Sequence, residues 1–426
     1  MKRLLTLAMI LIVLLSNTSI AIEQPPAPDA GAYILIDSKT GDVLCEKNPD
    51  TLVYPASTTK IMTAILALEN GEMDKVMTAS QAAIDDIGPD GSNIGIIAGE
   101  QVKLENLLQA LLICSANESA NIIAENLADS RQAFIGMMNE KAKELGAEKT
   151  HFANTNGMHD PNHYTTAADM AKFARYAMTF PEFRKIVSSN SLQMPPTNKH
   201  PEWPALANTN KLMISDKNDL YVINGIKTGF TGQAGFNLVS SAVDKNGLDL
   251  ISVVMGVKGD GAQENVRTYS KELLDYGFNN FKKVDLLEKG KVYRNIKVEN
   301  AADIYGLDLV TTDSLSCIVP KDAALQNIKE IPHISTNVAA PVNKDDIMGY
   351  IEFTRNDVSL GKVSLIAARS IEPKPAPVTL ASKVKDFLHN IFVRIGLYSA
   401  GAIVFFLLLR MTLRRISRKV HSRRYS

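Results

Sequence analysis

The segment YPASTTKIMTA (residues 54–64) contains the pattern Ser57-x-x-Lys60 at the point where an extended stretch gives way to a helix. Pro55 is typical of the start of a helix, and the apolar residues after Lys60 recur at helical spacing. Ser57 suits the cap or the first turn of this helix. Because residues three apart share one face of a helix, we expect the Lys60 amine to lie over the Ser57 hydroxyl.

The Ser57–Lys60 pair combines a hydroxyl with an amine that can activate it. A serine hydroxyl is a poor nucleophile until a base takes its proton, and an amine is such a base only when it is neutral. Burial, neighbouring cations and the positive end of the helix each disfavour the ammonium form. The pair therefore predicts a serine nucleophile with Lys60 as its proton acceptor.

By itself the Ser-x-x-Lys pattern is weak, because a chain of 426 residues contains about one or two copies by chance. Further copies lie at 359–362, in a strand-like segment, and at 382–385, after a proline-rich linker. The copy at 57–60 is followed by SAN (115–117) after a predicted helix and by KTG (227–229) in a predicted strand. No other set has this order, although isolated copies of the two later patterns occur. These lie at 39–41, 188–190 and 335–337.

Four segments in this order resemble the D-alanyl-D-alanine carboxypeptidases of low molecular mass, which are penicillin-binding proteins of the S11 family of serine peptidases. The segments are PASTTK (55–60), CSANESA (114–120), NGMHD through TTAADMA (156–171) and GIKTG (225–229). The resemblance covers about residues 25 to 372. It implies removal of the terminal D-alanine from peptidoglycan stem pentapeptides through an acyl-Ser57 intermediate, in cell-wall maturation. It also implies covalent inhibition by β-lactam antibiotics and a reaction that needs no metal or organic cofactor.

The resemblance also implies roles for individual residues of the predicted site. The catalytic residues are Ser57, Lys60 and Ser115. The substrate-binding residues are Asn117, Lys227, Thr228, Gly229 and Phe230. Ser115 would pass a proton to the leaving amine, and the amides of Ser57 and Phe230 would stabilise the oxyanion. Arg267 could add to the carboxylate site, although its spacing from Leu273 is one residue off the family pattern.

The predicted fold class of residues 25–282 is α+β. A polar turn between the apolar runs 33–37 and 43–45 predicts a β-hairpin, and Asn-Gly at 246–247 predicts a second one. Helical segments fall between Ser57 and the later strands. The arrangement predicts an antiparallel sheet with a helical subdomain, which is a transpeptidase domain like that of penicillin-binding proteins and serine β-lactamases.

Beyond this domain the pattern changes twice. Residues 283–371 show short alternating strands without a long helix and predict a small all-β domain. Residues 372–390 are a proline-containing linker followed by an amphipathic stretch that extends to about Arg394. Residues 391–413 are apolar enough to span a bilayer if Arg394 and Arg410 extend to its two surfaces. An amphipathic interfacial anchor is the alternative.

The two ends of the chain predict its location. Residues 1–21 have a basic start, an apolar core and a small residue at the cut, which predicts a signal peptide, whereas a retained anchor would need a longer apolar core. The tail 414–426 is basic and is predicted to lie in the cytoplasm. We therefore expect a single-pass protein of the cytoplasmic membrane with its catalytic domain outside.

Charge and cysteine content exclude several other classes. Although 46 basic residues balance 46 acidic ones, two basic residues lie within 1–21 and seven after Leu409, so the portion between is acidic. An acidic ectodomain is not expected to bind nucleic acid. Three cysteines cannot form a disulfide scaffold. The segment HDPNH (159–163) is interpreted as a loop rather than as metal ligands, because Pro and Asn interrupt it.

Three alternative functions remain at this point. A serine β-lactamase shares the same motifs, but Ser115-Ala116-Asn117 lacks the usual central Asp and no loop glutamate for deacylation stands out. A Ser-His-Asp esterase is disfavoured because no G-x-S-x-G occurs. A non-catalytic wall-binding protein would be expected to have lost a motif residue, and none is lost.

Overall fold

A computed structural model describes residues 24–88, 91–215, 218–323, 327–375 and 379–422. The predicted signal peptide lies outside the described residues. The chain divides into two compact units. The first unit runs to Glu288 and includes Ser314–Lys329 and Thr354–Leu360, and the second consists of Lys289–Asp313, Glu330–Phe353 and the chain from Gly361 onward.

Helices and strands alternate in the first unit, whereas strands dominate the second until its C-terminal helices. The α-helices are α1 (Lys60–Asn70), α2 (Gln81–Asp85), α3 (Leu104–Ile113), α4 (Asn117–Leu127), α5 (Arg131–Glu144), α6 (Ala167–Ala177), α7 (Pro181–Val187), α8 (Leu212–Ser215), α9 (Ala262–Asn280), α10 (Leu380–His389) and α11 (Ile391–Ser422). The strands are β1 (Ala32–Asp37), β2 (Val43–Lys47), β3 (Val76–Thr78), β4 (Gln101–Lys103), β5 (Ser191–Leu192), β6 (Leu206–Ala207), β7 (Tyr221–Thr231), β8 (Gly235–Asp244), β9 (Asp249–Val257), β10 (Phe281–Leu287), β11 (Val292–Ile296), β12 (Leu307–Thr311), β13 (Leu315–Pro320), β14 (Ile328–Ile334), β15 (Ile347–Arg355) and β16 (Val358–Ala367).

The first unit is built on an antiparallel sheet of order β2-β1-β9-β8-β7, which contains both predicted hairpins. Strand β1 is apolar at nearly every position because both of its faces are covered. Ile34 and Ile36 pack into the helical core, whereas Tyr33 and Leu35 pack on the opposite face, together with Leu273 of α9. The alternation follows from the two-residue period of a strand.

The helical part of the first unit surrounds α1. Every residue from Lys60 to Ala67 is buried, because α1 packs against α3, α4 and α6. A helix that is covered on all sides is apolar all round, which explains the run from Ile61 to Leu68. Thr63 is the polar residue within this run, and its hydroxyl donates to the Thr155 carbonyl at 2.6 Å. Lys60 lies just before the run, at the first turn of α1, which places its amine at the edge of the helical core.

The second unit contains a sheet of order β11-β12-β16-β15-β14. Its core includes Leu307, Leu309, Ile351 and Leu365, all fully buried. The all-β character expected from the sequence is confirmed. Strands β10 and β13 both fall in the first unit, where they pair with each other in a separate two-stranded sheet.

The C-terminal segment forms two consecutive helices that contain no buried residue among those described. The amphipathic helix α10 ends at His389, earlier than the sequence pattern suggested, because Asn390 adopts an extended backbone. Helix α11 then continues past residue 413. Its portion Ile391–Arg418 is long and apolar enough to cross a membrane, since 28 residues of helix rise about 42 Å.

Candidate active site

Ser57 lies in a 3₁₀ turn, Ala56–Thr59, that leads directly into α1. Ala56 has a left-handed backbone with φ of 48°, and the Thr58 hydroxyl donates to the Pro55 carbonyl at 2.7 Å. Gly157 presses against this turn: a Cβ at Gly157 would lie 1.9 Å from the Ala56 carbonyl oxygen. The turn is therefore fixed by a neighbouring segment in which only glycine fits.

Strand β7 passes the other side of the turn. A Cβ on Gly229 would lie 2.9 Å from the Pro55 carbonyl oxygen and 3.1 Å from the Ser57 amide nitrogen. On the next strand, the Asn237 side chain donates to the carbonyls of Tyr54 and Pro55, both at 2.9 Å. The sequence did not single out Asn237, which ties the segment before Ser57 to the sheet.

The Lys60 amine contacts three oxygens at hydrogen-bond distance. Its Nζ lies 2.9 Å from the Ser57 hydroxyl, 2.7 Å from the Asn117 side-chain oxygen and 2.7 Å from the Asn156 carbonyl. The two Asn oxygens can only accept, so they take two N–H groups of the amine. A neutral amine then has its lone pair left for the Ser57 hydroxyl. This geometry fits an amine that accepts the serine proton.

The protonation state of Lys60 agrees with this geometry. The side chain is fully buried, and burial lowers the pKa of Lys60 well below its ordinary value. The nearby ammonium of Lys227 lowers this pKa further, while the Glu118 carboxylate partly opposes the shift. The causes expected from the sequence, burial and a neighbouring cation, are both present.

Ser115 follows α3 on a sharp turn and has a left-handed φ of 63°. Such a backbone is uncommon for a residue with a side chain and is typical of functional sites. Asn117 is the first residue of α4 rather than a loop residue. Its side-chain oxygen accepts from Lys60, and its Nδ2 donates to the Ile87 carbonyl at 2.9 Å. Among the described residues, Ile87 is the one acceptor of Nδ2, so its second N–H has no partner there.

The buried carboxylate of Glu118 holds the segment that precedes α3. Its Oε1 accepts from the Ile94 amide at 2.7 Å, and the Asn117 amide donates to the Ser92 carbonyl at 2.7 Å. Burial raises the pKa of Glu118, and the backbone amides that it binds oppose the shift. Sequence reasoning missed Glu118, although a charged residue among small and apolar neighbours in CSANESA was a signal.

The KTG segment lies on β7, which is one of the two edge strands of the sheet. Lys227 is buried, its Nζ donates to the Thr228 carbonyl at 3.0 Å, and burial lowers the pKa of Lys227 to about 7. The Thr228 hydroxyl lies 2.9 Å from the Thr209 hydroxyl. Phe230 is half exposed at the rim and stacks on Phe236.

A cleft of about 560 Å³ brings these groups together. Residues lining it include Ser57, Ser92, Ser115, Thr209, Lys211, Thr228, Gly229, Phe230, Gln263 and Arg267. The side chains of Lys60, Asn117 and Lys227 are buried outside this lining. Sequence reasoning missed Ser92, Thr209, Lys211 and Gln263, because no local motif marks them. Arg267 does lie in the cleft, where it pairs with Glu264 of the same helix.

Comparison with known proteins agrees with this geometry. The family model described as D-alanyl-D-alanine carboxypeptidase matches residues 19–259. The chain belongs to the D-alanyl-D-alanine carboxypeptidase family. The protein is thus a hydrolase of this type, as the sequence predicted. A second model, described as the C-terminal domain of penicillin-binding protein 5, matches residues 281–373.

Individual members of the carboxypeptidase family resemble the chain over most of its length. It is 29% identical to the carboxypeptidase DacF of Bacillus subtilis, over 90% of this chain and 98% of that protein. It is 30% identical to DacA of Haemophilus influenzae, over 83% of this chain and 89% of that one. The solved structure of penicillin-binding protein 5 from Haemophilus influenzae superposes with a TM-score of 0.67 at 30% identity, covering 82% of this chain and 99% of that one. The predicted family and fold class are therefore confirmed.

The last residue of the HDPNH segment (159–163), His163, makes hydrogen bonds that hold parts of the fold together. The His163 Nδ1 accepts from the Ala153 amide at 2.9 Å, so its Nε2 carries the proton and donates to the Thr59 hydroxyl at 2.7 Å. Burial lowers the pKa of His163 to about 3, which keeps the ring neutral. Nε2 thus contacts the last residue of the turn that contains Ser57, and Nδ1 contacts the segment at Ala153. Within the described ranges no three His, Cys, Asp or Glu side chains are grouped to hold a metal ion.

Proposed function

We propose that this carboxypeptidase cleaves the terminal D-Ala-D-Ala bond of peptidoglycan stem pentapeptides through an acyl-Ser57 intermediate, in cell-wall maturation. The observation that carries the proposal is the buried Lys60 amine 2.9 Å from the Ser57 hydroxyl, with its two N–H groups satisfied by other oxygens. Such an amine is placed to take the serine proton as the hydroxyl attacks.

Acylation follows from this geometry. Lys60 takes the Ser57 proton while Oγ bonds to the carbonyl carbon of the penultimate D-alanine, whose oxygen becomes an oxyanion. The Ser57 and Phe230 amides stabilise that oxyanion. The close approach of β7 to the 3₁₀ turn at Gly229 supports this pair, because it places the two backbone segments side by side.

Collapse of the tetrahedral intermediate breaks the C–N bond and releases D-alanine. The leaving nitrogen takes a proton, which passes from the Lys60 ammonium through the Ser115 hydroxyl. Water then attacks the acyl ester, the ester C–O bond breaks, and Ser57 recovers its proton. The left-handed backbone of Ser115 supports its role, because it turns this residue into the cleft beside Ser57.

Substrate binding uses the exposed edge of β7. The peptide backbone pairs with this strand, as peptides add to the free edges of sheets. The terminal carboxylate binds Thr228, with Arg267 as its cationic partner in the cleft and Lys227 contributing positive charge from its buried position. Asn117 positions Lys60 and uses its remaining N–H to hold the substrate amide. Because Gly229 has no side chain, β7 can lie close to the turn that contains Ser57.

Inhibition by β-lactams is part of the proposal, with Ser57 forming a penicilloyl ester. None of the described residues that line the cleft is a carboxylate. Glu118 is buried outside the lining, and its Oε1 accepts from the Ile94 amide. The described lining therefore contains no carboxylate that could activate water to hydrolyse the penicilloyl ester. This favours a carboxypeptidase over a β-lactamase.

The experiment is labelling of the full chain in detergent with a fluorescent penicillin. Ser57→Ala is expected to abolish labelling, and Lys60→Ala is expected to stop it because the serine would keep its proton. Ser359→Ala is the matched control, since Ser359 belongs to another Ser-x-x-Lys pattern, at the start of β16. Labelling that survived Ser57→Ala and vanished in Ser115→Ala would assign the nucleophile to Ser115.

We also propose the organisation of the chain: a signal peptide at 1–21, the catalytic domain at 25–282, the β domain at 283–371, a linker and amphipathic segment at 372–390, a spanning helix at 391–413 and a basic cytoplasmic tail at 414–426. The basic residues after Leu409 support this orientation. Protease added to intact spheroplasts should cut the linker and spare a tag placed after Ser426. Protection of the whole chain, or loss of the tag, would contradict the topology.

A further inference from the structure

The loop between β11 and β12 presents two adjacent large side chains to solvent. Ile304 is 94% exposed and Tyr305 is 80% exposed. Single exposed apolar residues are common on protein surfaces, but a neighbouring pair at a loop tip makes a contiguous apolar surface. The loop is also held in place, because the Arg369 guanidinium donates to both carboxylate oxygens of Asp303, at 2.6 and 3.0 Å, and to the Gly306 carbonyl at 2.5 Å.

The base of this loop is hydrogen bonded to the segment by which the chain leaves the sheet. The Ala302 amide donates to the Glu372 carbonyl at 2.9 Å, and the Lys374 amide donates to the Asn300 carbonyl at 2.7 Å. Beyond Lys374, a short segment and the 10-residue helix α10 separate the sheet from α11. Helix α10 is about 15 Å long. Hydrogen bonds thus join the base of the loop that carries the apolar tip to the segment that leads towards α11.

We propose that the Ile304–Tyr305 tip inserts into the interfacial region of the bilayer that α11 spans, and so docks the β-sheet of the second unit on the membrane. The partner is the lipid interface. Tyrosine suits this region because its ring is apolar and its hydroxyl is polar, and isoleucine removes apolar area from water. The inference rests on the proposed membrane span of α11.

Attachment through α11 explains why two residues suffice. A pair of side chains would bind lipid too weakly to hold a free protein on a membrane. A chain already anchored nearby meets lipid at a high effective concentration, so a weak second contact is populated. The contact then fixes how the second unit is oriented on the membrane.

The test uses the full chain in lipid nanodiscs at one copy per disc, with Tyr305→Trp as the reporter. The native Trp203 is buried in the first unit and supplies a constant background. We expect lipids brominated along their acyl chains to quench the added indole of Tyr305→Trp. Adding Ile304→Asp to this variant should lower the quenching several-fold, because a charge resists insertion.

Val292→Trp is the matched control. Val292 is 59% exposed in the same unit and pairs with Val310, whereas Ile296 at the loop end of β11 pairs with Leu307. Its indole therefore lies away from the loop and should not be quenched. Equal quenching in the Val292→Trp and Tyr305→Trp variants, or none in either, would overturn the inference.

Tyr398→Trp within α11 separates this inference from the proposed anchor. Quenching in Tyr398→Trp without quenching in Tyr305→Trp would leave the anchor standing and refute the docking loop. No quenching in Tyr398→Trp would refute the anchor itself. If Tyr305→Trp were shielded from aqueous iodide but untouched by brominated lipid, the tip would bind protein, and the lipid proposal would be wrong.

Discussion

The Lys227→Met substitution is expected to stabilise the folded protein while it impairs substrate binding. Lys227 is buried, and burial lowers its pKa from 10.5 to about 7. Between these values the unfolded chain binds a proton that the folded protein does not, so the free energy of unfolding rises with pH across this window. Below about pH 7 the penalty for burying this amine is complete, and above 10.5 it vanishes.

The magnitude follows from the size of the pKa shift. One pKa unit corresponds to about 1.4 kcal/mol, so the penalty below pH 7 is roughly 4 to 5 kcal/mol. Methionine has a similar length and no charge. The substitution removes one hydrogen bond, from Nζ to the Thr228 carbonyl, which contributes about 1 kcal/mol. We expect a net stabilisation of about 3 kcal/mol at pH 6, which decreases as the pH approaches 10.

Urea unfolding at pH 6 and pH 9, followed by the fluorescence of Trp203 in the first unit, measures this effect. Lys211→Met is the matched control, because it removes the same side chain from an exposed position and should change stability little. The KM for the pentapeptide should rise in Lys227→Met. A variant less stable than the parent at pH 6, or a difference that does not shrink with pH, would refute the reasoning.

Three further predictions concern catalysis. The value of kcat/KM for the pentapeptide should fall above about pH 7 as Lys227 loses its proton. Lys227→Arg should shift this decrease in kcat/KM to higher pH. If the pH of the decrease were the same in Lys227→Arg, another group would be responsible for it. Gly157→Ala should slow acylation by penicillin on the order of 100-fold, because its Cβ displaces the nucleophile turn. Gly136→Ala, whose Cβ meets nothing, is its control, and equal rates would contradict the account. Arg267→Ala should raise the KM of the pentapeptide about tenfold with kcat little changed, and an unchanged KM would exclude a contact with the carboxylate.

Local patterns predicted much of the fold because each carries its own physical cause. The Ser57–Lys60 contact follows from helical spacing, and the two hairpins follow from turn residues between apolar runs. The KTG segment lies in a strand, β7, as expected, and the structure adds that this strand is at an edge of the sheet. The Asn-Gly turn at 246–247 joins β8 and β9 as expected.

Features that depend on long-range packing were not predictable from the sequence. Asn237 is distant in sequence from Tyr54, and only the folded sheet brings its amide to that carbonyl. Thr209 reaches Thr228 from a segment that has no motif of its own. Spacing along the sequence argued against Arg267, yet helix α9 carries it into the cleft. The hydrogen bonds of the Asn117 side-chain amide and the bond from the Ile94 amide to the Glu118 carboxylate were likewise not predictable from the sequence.

The central claim is that Ser57 forms an acyl ester that water hydrolyses quickly after peptide cleavage and slowly after reaction with penicillin. The direct measurement gives the full chain a D-Ala-D-Ala pentapeptide and follows free D-alanine, then follows the intact mass of the protein after a short pulse of penicillin. We predict D-alanine release over many turnovers and a penicilloyl adduct on Ser57 that outlives one peptide turnover by orders of magnitude. Rapid return to the unmodified mass, together with no release of D-alanine, would contradict the account and identify a β-lactamase.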